Sequence, residues 1–337
     1  MIKIKIALFE LENWEKEFLK SRLKGHDVLF FSKKLAVSDT NKIKNAEALV
    51  IFINSKIDKN ILDRLPKLRF ITTMSTGFDH IDIQECKKRN ILISNVPSYG
   101  ENTVAEHAFA LLLNISRKIH DSIEKTRRGS FDLKDLRGFD LKGKTLGVLG
   151  TGKIGKHSVM IAKGFQMNIV AYDPFPDKEF AKQHGFEYLK SVENVLSVSD
   201  VITLHAPYMP STHHMINMSN IRKIKKGAVL INTARGGLIE TEAILYSLKN
   251  GFISAFGTDV LEEEGFVRED KEMLYKSFKK QADLKTVLED HILLEQDNVF
   301  ITPHNAFNTK EALLRILQTT VDNLNYFLKK KSINLVN

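Results

Sequence analysis

The chain has 337 residues, a formal net charge of +9 and 43% hydrophobic residues. This length supports two domains with sizeable cores, and the composition is that of an ordinary soluble globular protein. The opening MIKIKIALFE lacks the long apolar stretch of a signal peptide, and the apolar run Val104–Ile115 is short and carries Glu106 and His107, which excludes a bilayer span. Cys86 is the single cysteine, so no intramolecular disulfide can form; a small buried residue in a reducing cytoplasm is the expectation. The lysines are spread along the chain without interleaved aromatics, which argues against a nucleic-acid partner and for a basic surface that steers anions.

The first part of the chain alternates strand and helix patterns. Apolar strands are predicted at Ile2–Phe9, Val28–Phe31, Ala48–Ile53, Phe70–Met74 and Ile91–Asn95. Helices are predicted at Trp14–Leu23 and Lys59–Leu65, the second stopped by Pro66. This rhythm predicts an open parallel sheet with helices on both faces. A long helix from Thr103 to about His120 then leads away. The rhythm restarts with strands at Thr145–Leu149, Ile169–Tyr172, Val201–His205, Ala228–Thr233, Ile253–Asp259 and Val299–Thr302. Gly227 and Gly251 follow basic stretches, where glycines end helices. The charged stretch Glu262 to Asn298 is expected to be partly helical. A final helix, Asn308 to about Lys330 with Thr309 near its start, is expected to cross back onto the first unit. The domains are therefore expected at 1–101 with 305–337, and at 102–304 as an insertion: two doubly wound α/β domains of parallel sheet.

Between Thr145–Leu149 and the next helix stands Gly150-Thr151-Gly152-Lys153-Ile154-Gly155. Ile154, Ile161, Ala162 and Phe165 are expected to share one face of that helix. Asp173 ends the next strand, close to the spacing of about 20 residues at which a dinucleotide fold places its ribose-binding acid. The first glycine permits a tight turn, the second lets a pyrophosphate approach, and the third lets helix and strand pack closely. The phosphates would rest on the helix N-terminus. A carboxylate at Asp173, with Pro174 after it and no adjacent arginine, favours NAD over NADP by repelling a 2′-phosphate.

In a doubly wound sheet, ligands gather beyond the carboxyl ends of the strands. His205-Ala206-Pro207, the run Asn232 to Gly237, Asp259 with Glu264 beyond it, and Pro303-His304 all stand at such ends. Taken singly, Arg235 reads as a surface arginine, His304 as a half-buried structural histidine, and Glu264 as part of a solvated charge run. Taken together they form a set for reducing a 2-oxo acid. Arginine forks onto a carboxylate and polarises the neighbouring carbonyl, histidine supplies the proton that balances hydride arrival, and a carboxylate stabilises the imidazolium.

These segments resemble the D-isomer-specific 2-hydroxyacid dehydrogenases over essentially the full length. GTGKIG, the HAP turn, NTARGG, GTDVLEEEGF and TPHNAF stand in that family's order and spacing. The resemblance implies a Rossmann NAD-binding domain inserted into a flavodoxin-like substrate domain. It makes Arg235 the substrate-binding arginine, Glu264 the acidic partner and His304 the acid/base. It places Gly150, Gly152, Lys153, Ile154, Gly155, Asp173, His205, Pro207, Thr212, Thr233, Ala234, Arg235 and Asp259 around NAD. Ser75-Thr76-Gly77 looks like the loop whose N–H groups bind the substrate carboxylate, and residues 96–108 look like the hinge signature. Phe52, Tyr99 and Phe307 fall where the D-lactate dehydrogenase branch places aromatic pocket residues, and the long stretch between Glu264 and His304 also fits that branch. Phe52 replaces a tyrosine frequent there, with loss of a hydroxyl. The resemblance further implies a homodimer formed through the nucleotide domain around His120–Asp140, a small 2-oxo or 2-hydroxy acid as substrate, no metal, and no C-terminal regulatory domain. The expected reaction is NADH-dependent reduction of a small 2-oxo acid, pyruvate to D-lactate among them. The alternatives are oxidation of another small anion (glycerate, phosphite or a sugar-derived acid) or an NAD-sensing role like that of the family's corepressors.

Overall fold

The structure is a computed structural model that describes residues 3–262, 284–329 and 331–337. It divides into two compact units, Met1–Gly100 with Asn308–Asn337, and Glu101–Phe307.

The first unit holds five strands: β1 (Lys5–Leu8), β2 (Asp27–Phe30), β3 (Ala48–Ile51), β4 (Phe70–Thr73) and β5 (Leu92–Ser94). They pair in parallel in the order β2-β1-β3-β4-β5, the flavodoxin-like winding. β3 and β4 are buried at every position, which explains their continuous apolar or small-polar sequences. The last helix, Lys310–Leu328, begins at Thr309, whose side chain accepts from Ala312 N. It belongs to this unit. Phe327 stacks on Phe70 with ring centroids 4.6 Å apart, and Asn323 Nδ2 donates to Thr72 Oγ1 and to the Asn95 carbonyl at 3.1 and 2.9 Å. Cys86 is buried in the core of this unit, and burial pushes its thiol up to about 11, well clear of reactive thiolate chemistry.

The second unit holds β6 (Thr145–Leu149), β7 (Asn168–Tyr172), β8 (Glu187–Tyr188), β9 (Val201–Leu204), β10 (Ala228–Asn232), β11 (Ile253–Thr258) and β12 (Val299–Ile301). All are parallel, in the order β12-β11-β10-β9-β6-β7-β8. The chain reverses its direction of travel across the sheet between β6 and β9, the switch point of a Rossmann fold.

Several local expectations need correction. The edge strand β8 was not foreseen, because two residues carry no period. The predicted long helix runs Glu101–Arg117 and stops at Lys118, whose backbone is left-handed at φ 54°; a second helix, Ile119–Arg127, follows. The helix Lys59–Leu62 ends well before Pro66, so Pro66 is not its stop. The helix Lys153–Gly164 buries Gly155, Ser158, Val159 and Ala162, whereas Phe165 lies just beyond it, exposed and stacked on Phe109. Gly251 follows the helix Thr241–Lys249 as expected, but Gly227 follows only a short 3₁₀ turn, Ile221–Lys223. Within 262–298, Leu284–Leu294 is helical, and residues 263–283 lie outside the described residues.

Candidate active site

The glycine loop leaves β6 at Gly150, which takes φ 93°. A Cβ there would stand 2.7 Å from Ala206 N, and one at Gly155 would stand 2.1 Å from the Gly150 carbonyl oxygen. Backbone crowding therefore requires both glycines. Gly152, the cap of the helix Lys153–Gly164, has nothing within 4 Å of its Cβ position, so this approach to the helix N-terminus is open. Lys153 is mostly exposed and pairs with Glu101 at 3.5 Å, while Ile154 is half-buried.

Asp173 stands at the end of β7. Its Oδ2 accepts from Thr151 N at 2.7 Å and from Thr151 Oγ1 at 3.1 Å, and its Oδ1 accepts from Phe175 N at 2.9 Å. Because the Thr151 hydroxyl spends its proton on Asp173, Tyr188 OH must be the donor in the 2.8 Å contact with Thr151 Oγ1. The unforeseen strand β8 thus braces the glycine loop.

At the switch point, Leu204 of β9 pairs with Asn232 of β10, so His205 and Thr233 leave the sheet side by side. His205 Nε2 lies 2.8 Å from Ser158 Oγ and 3.1 Å from Thr203 Oγ1. Its Nδ1 and the Thr233 hydroxyl are buried without a partner among the described residues. Burial lowers the His205 pKa to about 4, so the ring is neutral near pH 7. Orphaned buried polar atoms are uncommon and call for a ligand or water. Together with the open helix N-terminus and the Asp173 carboxylate, they fit a dinucleotide. Pro207 and Thr212 form one turn, with Thr212 Oγ1 donating to the Pro207 carbonyl at 2.6 Å.

The chemical groups stand on three neighbouring strand ends. Asn232 of β10 pairs with Thr258 of β11, which pairs with Ile301 of β12. Past Asn232, Ala234 N donates to Asn232 Oδ1 at 3.0 Å and Asn232 Nδ2 donates to the Arg235 carbonyl at 2.9 Å, which fixes the turn that carries Arg235. Arg235 is half-buried, and its Nη1 donates to the Ala234 carbonyl at 2.7 Å. Past Ile301, His304 takes φ 55°, unusual for a non-glycine residue. Its turn is held by Asp259, which is 1% exposed. Asp259 Oδ1 accepts from Asn305 N at 2.7 Å and from the Thr302 hydroxyl, and Oδ2 accepts from Ala306 N at 2.7 Å. Asp259, read from sequence as a cofactor contact, is thus engaged with the turn that presents His304. Glu264 lies outside the described residues. Glu262, from the same acidic run, is not a solvated charge: it accepts from Thr241 N and Oγ1 at 3.2 and 2.8 Å and pairs with His214.

In the first unit, Ser75 Oγ donates to the Gly77 carbonyl at 2.6 Å and lies 2.7 Å from Thr73 Oγ1, which in turn lies 3.1 Å from His80 Nε2. Protons can run this chain in one direction only: His80 to Thr73 to Ser75 to the carbonyl. The N–H groups of Ser75, Thr76 and Gly77 donate to no other described residue. Phe52 is half-buried, and its N–H donates to Glu10 Oε1 at 3.1 Å. Tyr99 is half-buried and its carbonyl accepts from Arg315 Nε. Phe307 is the last residue of the second unit. Sequence reasoning missed Glu10; the strand-end rule that found Asp259 applies equally to it, just past β1.

The fold and these strand ends define a nicotinamide-dependent dehydrogenase. The model of the family described as D-isomer specific 2-hydroxyacid dehydrogenase, NAD binding domain, matches residues 109–306. A 2-hydroxyacid dehydrogenase homolog of Zymomonas mobilis is 35% identical over 329 residues, covering 95% of this chain and 96% of that protein. D-lactate dehydrogenase of Escherichia coli is 34% identical over 328 residues, covering 95% and 96%. The crystal structure of D-lactate dehydrogenase from Aquifex aeolicus complexed with NAD and lactic acid matches with a TM-score of 0.84 at 34% identity, over 96% of each chain. The chain belongs to the D-isomer-specific 2-hydroxyacid dehydrogenase family. Within that family its similarity is to the D-lactate dehydrogenase branch, and it is an NAD-dependent oxidoreductase acting on small 2-hydroxy acids.

Proposed function

We propose that the chain reduces pyruvate to D-lactate with NADH, with 102–304 as its NAD domain and 1–101 with 305–337 as its substrate domain. NADH, when bound, would supply the hydride that substrate C2 receives. Arg235 forks onto the carboxylate and polarises the carbonyl. His304 gives its proton to the carbonyl oxygen as that oxygen becomes a hydroxyl, and Glu264 favours the imidazolium that does so. Ser75, Thr76 and Gly77 direct their unspent N–H groups to the carboxylate, and Phe52, Tyr99 and Phe307 select the substrate side chain. The observation that supports this reading best is the placement of Arg235, Asp259 and the His304 turn on three consecutive strand ends.

A panel of 2-oxo acids with NADH, followed at the nicotinamide absorbance, tests the substrate; pyruvate should give the highest kcat/KM, and a clear preference for glyoxylate or hydroxypyruvate would move the assignment. His304→Gln should lower kcat at least about 100-fold while NADH binding stays near normal. The reading extends to a homodimer in the cytoplasm. In the second unit Ile119, Ile123, Phe131 and Leu133 are exposed, the last two at 82% and 81%, and a second copy of the same surface would cover them. Sedimentation should give twice the chain mass, and Phe131→Asp with Leu133→Asp should shift it toward the monomer.

A further inference from the structure

His107 lies on the helix Glu101–Arg117, whose other inward residues, such as Val104, Ala108, Leu111 and Leu112, are apolar and pack into the core. Its imidazole is 19% exposed. Nε2 is 3.0 Å from Thr302 Oγ1 and 3.6 Å from Asp259 Oδ1. The proton order along this contact is fixed. The Thr302 hydroxyl has one proton and donates it to Asp259 Oδ1, so toward His107 it can only accept. His107 therefore carries a proton on Nε2 and donates it to Thr302. The result is a directed chain from His107 through Thr302 to Asp259, whose carboxylate also gathers the N–H groups of Asn305 and Ala306.

Residues 302, 305 and 306 bracket His304, which sits in the left-handed region at φ 55°. A non-glycine residue in that region costs on the order of 1 kcal/mol or more, and the conformation persists only where its surroundings over-determine it. The backbone supplies part of this, since His304 N donates to the Thr302 carbonyl and Thr302 N to the Thr258 carbonyl, both at 2.9 Å; the side-chain contacts to the turn converge on one buried carboxylate, and His107 is the titratable side chain packed against that carboxylate from the neighbouring helix. Without the His107 donor, the Thr302 hydroxyl keeps its bond to Asp259 but loses the group that engages its acceptor side, and Asp259 Oδ1 loses the imidazole that faces it at 3.6 Å.

We infer that His107 is a positioning residue for the reaction: through Thr302 and Asp259 it locks the 303–306 turn so that the imidazole of His304 is presented in one direction. This rests on the acid/base reading of His304. The effect should appear in the chemical step, because a misplacement of about 1 Å in a reacting group costs on the order of 100-fold in rate.

The test compares His107→Leu, His107→Gln and His107→Asn with His304→Gln. A glutamine amide nitrogen falls where Nε2 stands and can still donate to Thr302, whereas an asparagine amide falls at the Nδ1 position and cannot reach. His107→Leu and His107→Asn should lower kcat for pyruvate on the order of 10- to 100-fold, with the KM for pyruvate and the Kd for NADH within about twofold of wild type. His107→Gln should restore kcat to within about threefold. If the leucine variant does not fold, the Gln and Asn pair carries the same comparison. Wild-type kcat in His107→Asn, alongside an inactive His304→Gln, would overturn this inference alone. Equal losses in Gln and Asn, accompanied by weakened NADH binding and a lowered Tm, would also overturn it and leave His107 as packing. Full turnover by His304→Gln would overturn both the acid/base reading and the positioning role built on it.

Discussion

Asp259 and Glu10 occupy comparable places in the two sheets, each just past the carboxyl end of a parallel strand, and each gathers a loop with its carboxylate. Asp259 is buried and takes the N–H groups of Asn305 and Ala306 with the Thr302 hydroxyl. Glu10 is half-buried and takes Phe52 N at 3.1 Å, Asn54 N at 3.0 Å, Asn54 Nδ2 at 2.9 Å and Ser55 Oγ at 2.5 Å. The backbone strain is distributed differently. In the second unit the residue being held, His304, is left-handed; in the first, the residue that holds, Glu10, is left-handed at φ 62°. Both carboxylates take two backbone N–H groups and a hydroxyl, so the difference lies in burial: Asp259 works in a dry site where each bond is strong, and Glu10 in a partly wetted one where each is weaker.

Replacing each carboxylate by its amide separates the two cases. Asp259→Asn turns an NH₂ group toward backbone donors in a dry site. It should destabilise the protein by about 1–3 kcal/mol and lower kcat on the order of 100-fold. Thermal unfolding and steady-state kinetics measure the two effects, and a wild-type kcat would remove the claim that Asp259 orients His304. Asp173 is a third strand-end carboxylate, and it gathers Thr151 and Phe175. Asp173→Ser should raise the KM for NADH about tenfold, equivalent to about 1.4 kcal/mol, and narrow its advantage over NADPH. Wild-type protein that prefers NADPH would contradict the role given to Asp173. Glu10→Gln should leave kcat for pyruvate within about twofold but change the kcat/KM ratio between pyruvate and a longer 2-oxo acid by about threefold to tenfold, in keeping with the loss of one or two partly exposed hydrogen bonds. An unchanged ratio would show that the Phe52 loop keeps its shape without Glu10.

What the sequence revealed follows the same contrast. Gly150, Gly155 and Asp173 were legible because tight turns and close backbone approaches demand particular residues at fixed spacing. Strand ends were legible because a buried parallel strand is a continuous apolar run, and what interrupts it announces the site. Glu10 stands at a strand end that the same rule covers, but its role was not legible, since its partners Phe52, Asn54 and Ser55 come from a distant loop and no local pattern links them. His107 was hidden inside an amphipathic helix, where a lone histidine is usually core or surface. The break at Lys118 left no sign either, because a lysine has no visible reason to turn left-handed until Asn114 Oδ1 is seen accepting from His120 N at 2.9 Å. Sequence shows what a backbone requires locally; it does not show which distant side chain braces which loop.

Mild acid, above the range where the ion-paired carboxylates Asp39, Asp63 and Glu85 titrate, should also distinguish the second sheet from the helix Asn13–Arg22. Burial holds the His205 pKa at about 4 against an ordinary value of 6.5. The unfolded chain therefore binds this proton more readily than the folded one. The stabilisation is complete above about 6.5 and is lost as pH falls toward 4, at about 1.4 kcal/mol for each pH unit crossed. Glu15, in the first unit, behaves the other way: burial raises its pKa above 4.5, so the folded form takes up its proton more readily, and the cost of keeping it ionised is relieved as pH falls through that raised value. Hydrogen exchange of the cofactor-free protein at pH 7 and pH 5, corrected for intrinsic rates, should show protection falling around β9 and the helix Lys153–Gly164, while the helix Asn13–Arg22 keeps or gains protection. His205→Gln should flatten the response of the second unit and leave the first unchanged. Loss of protection in both units together, unaltered by His205→Gln, would show that the buried neutral histidine does not set the acid sensitivity of the nucleotide-binding sheet.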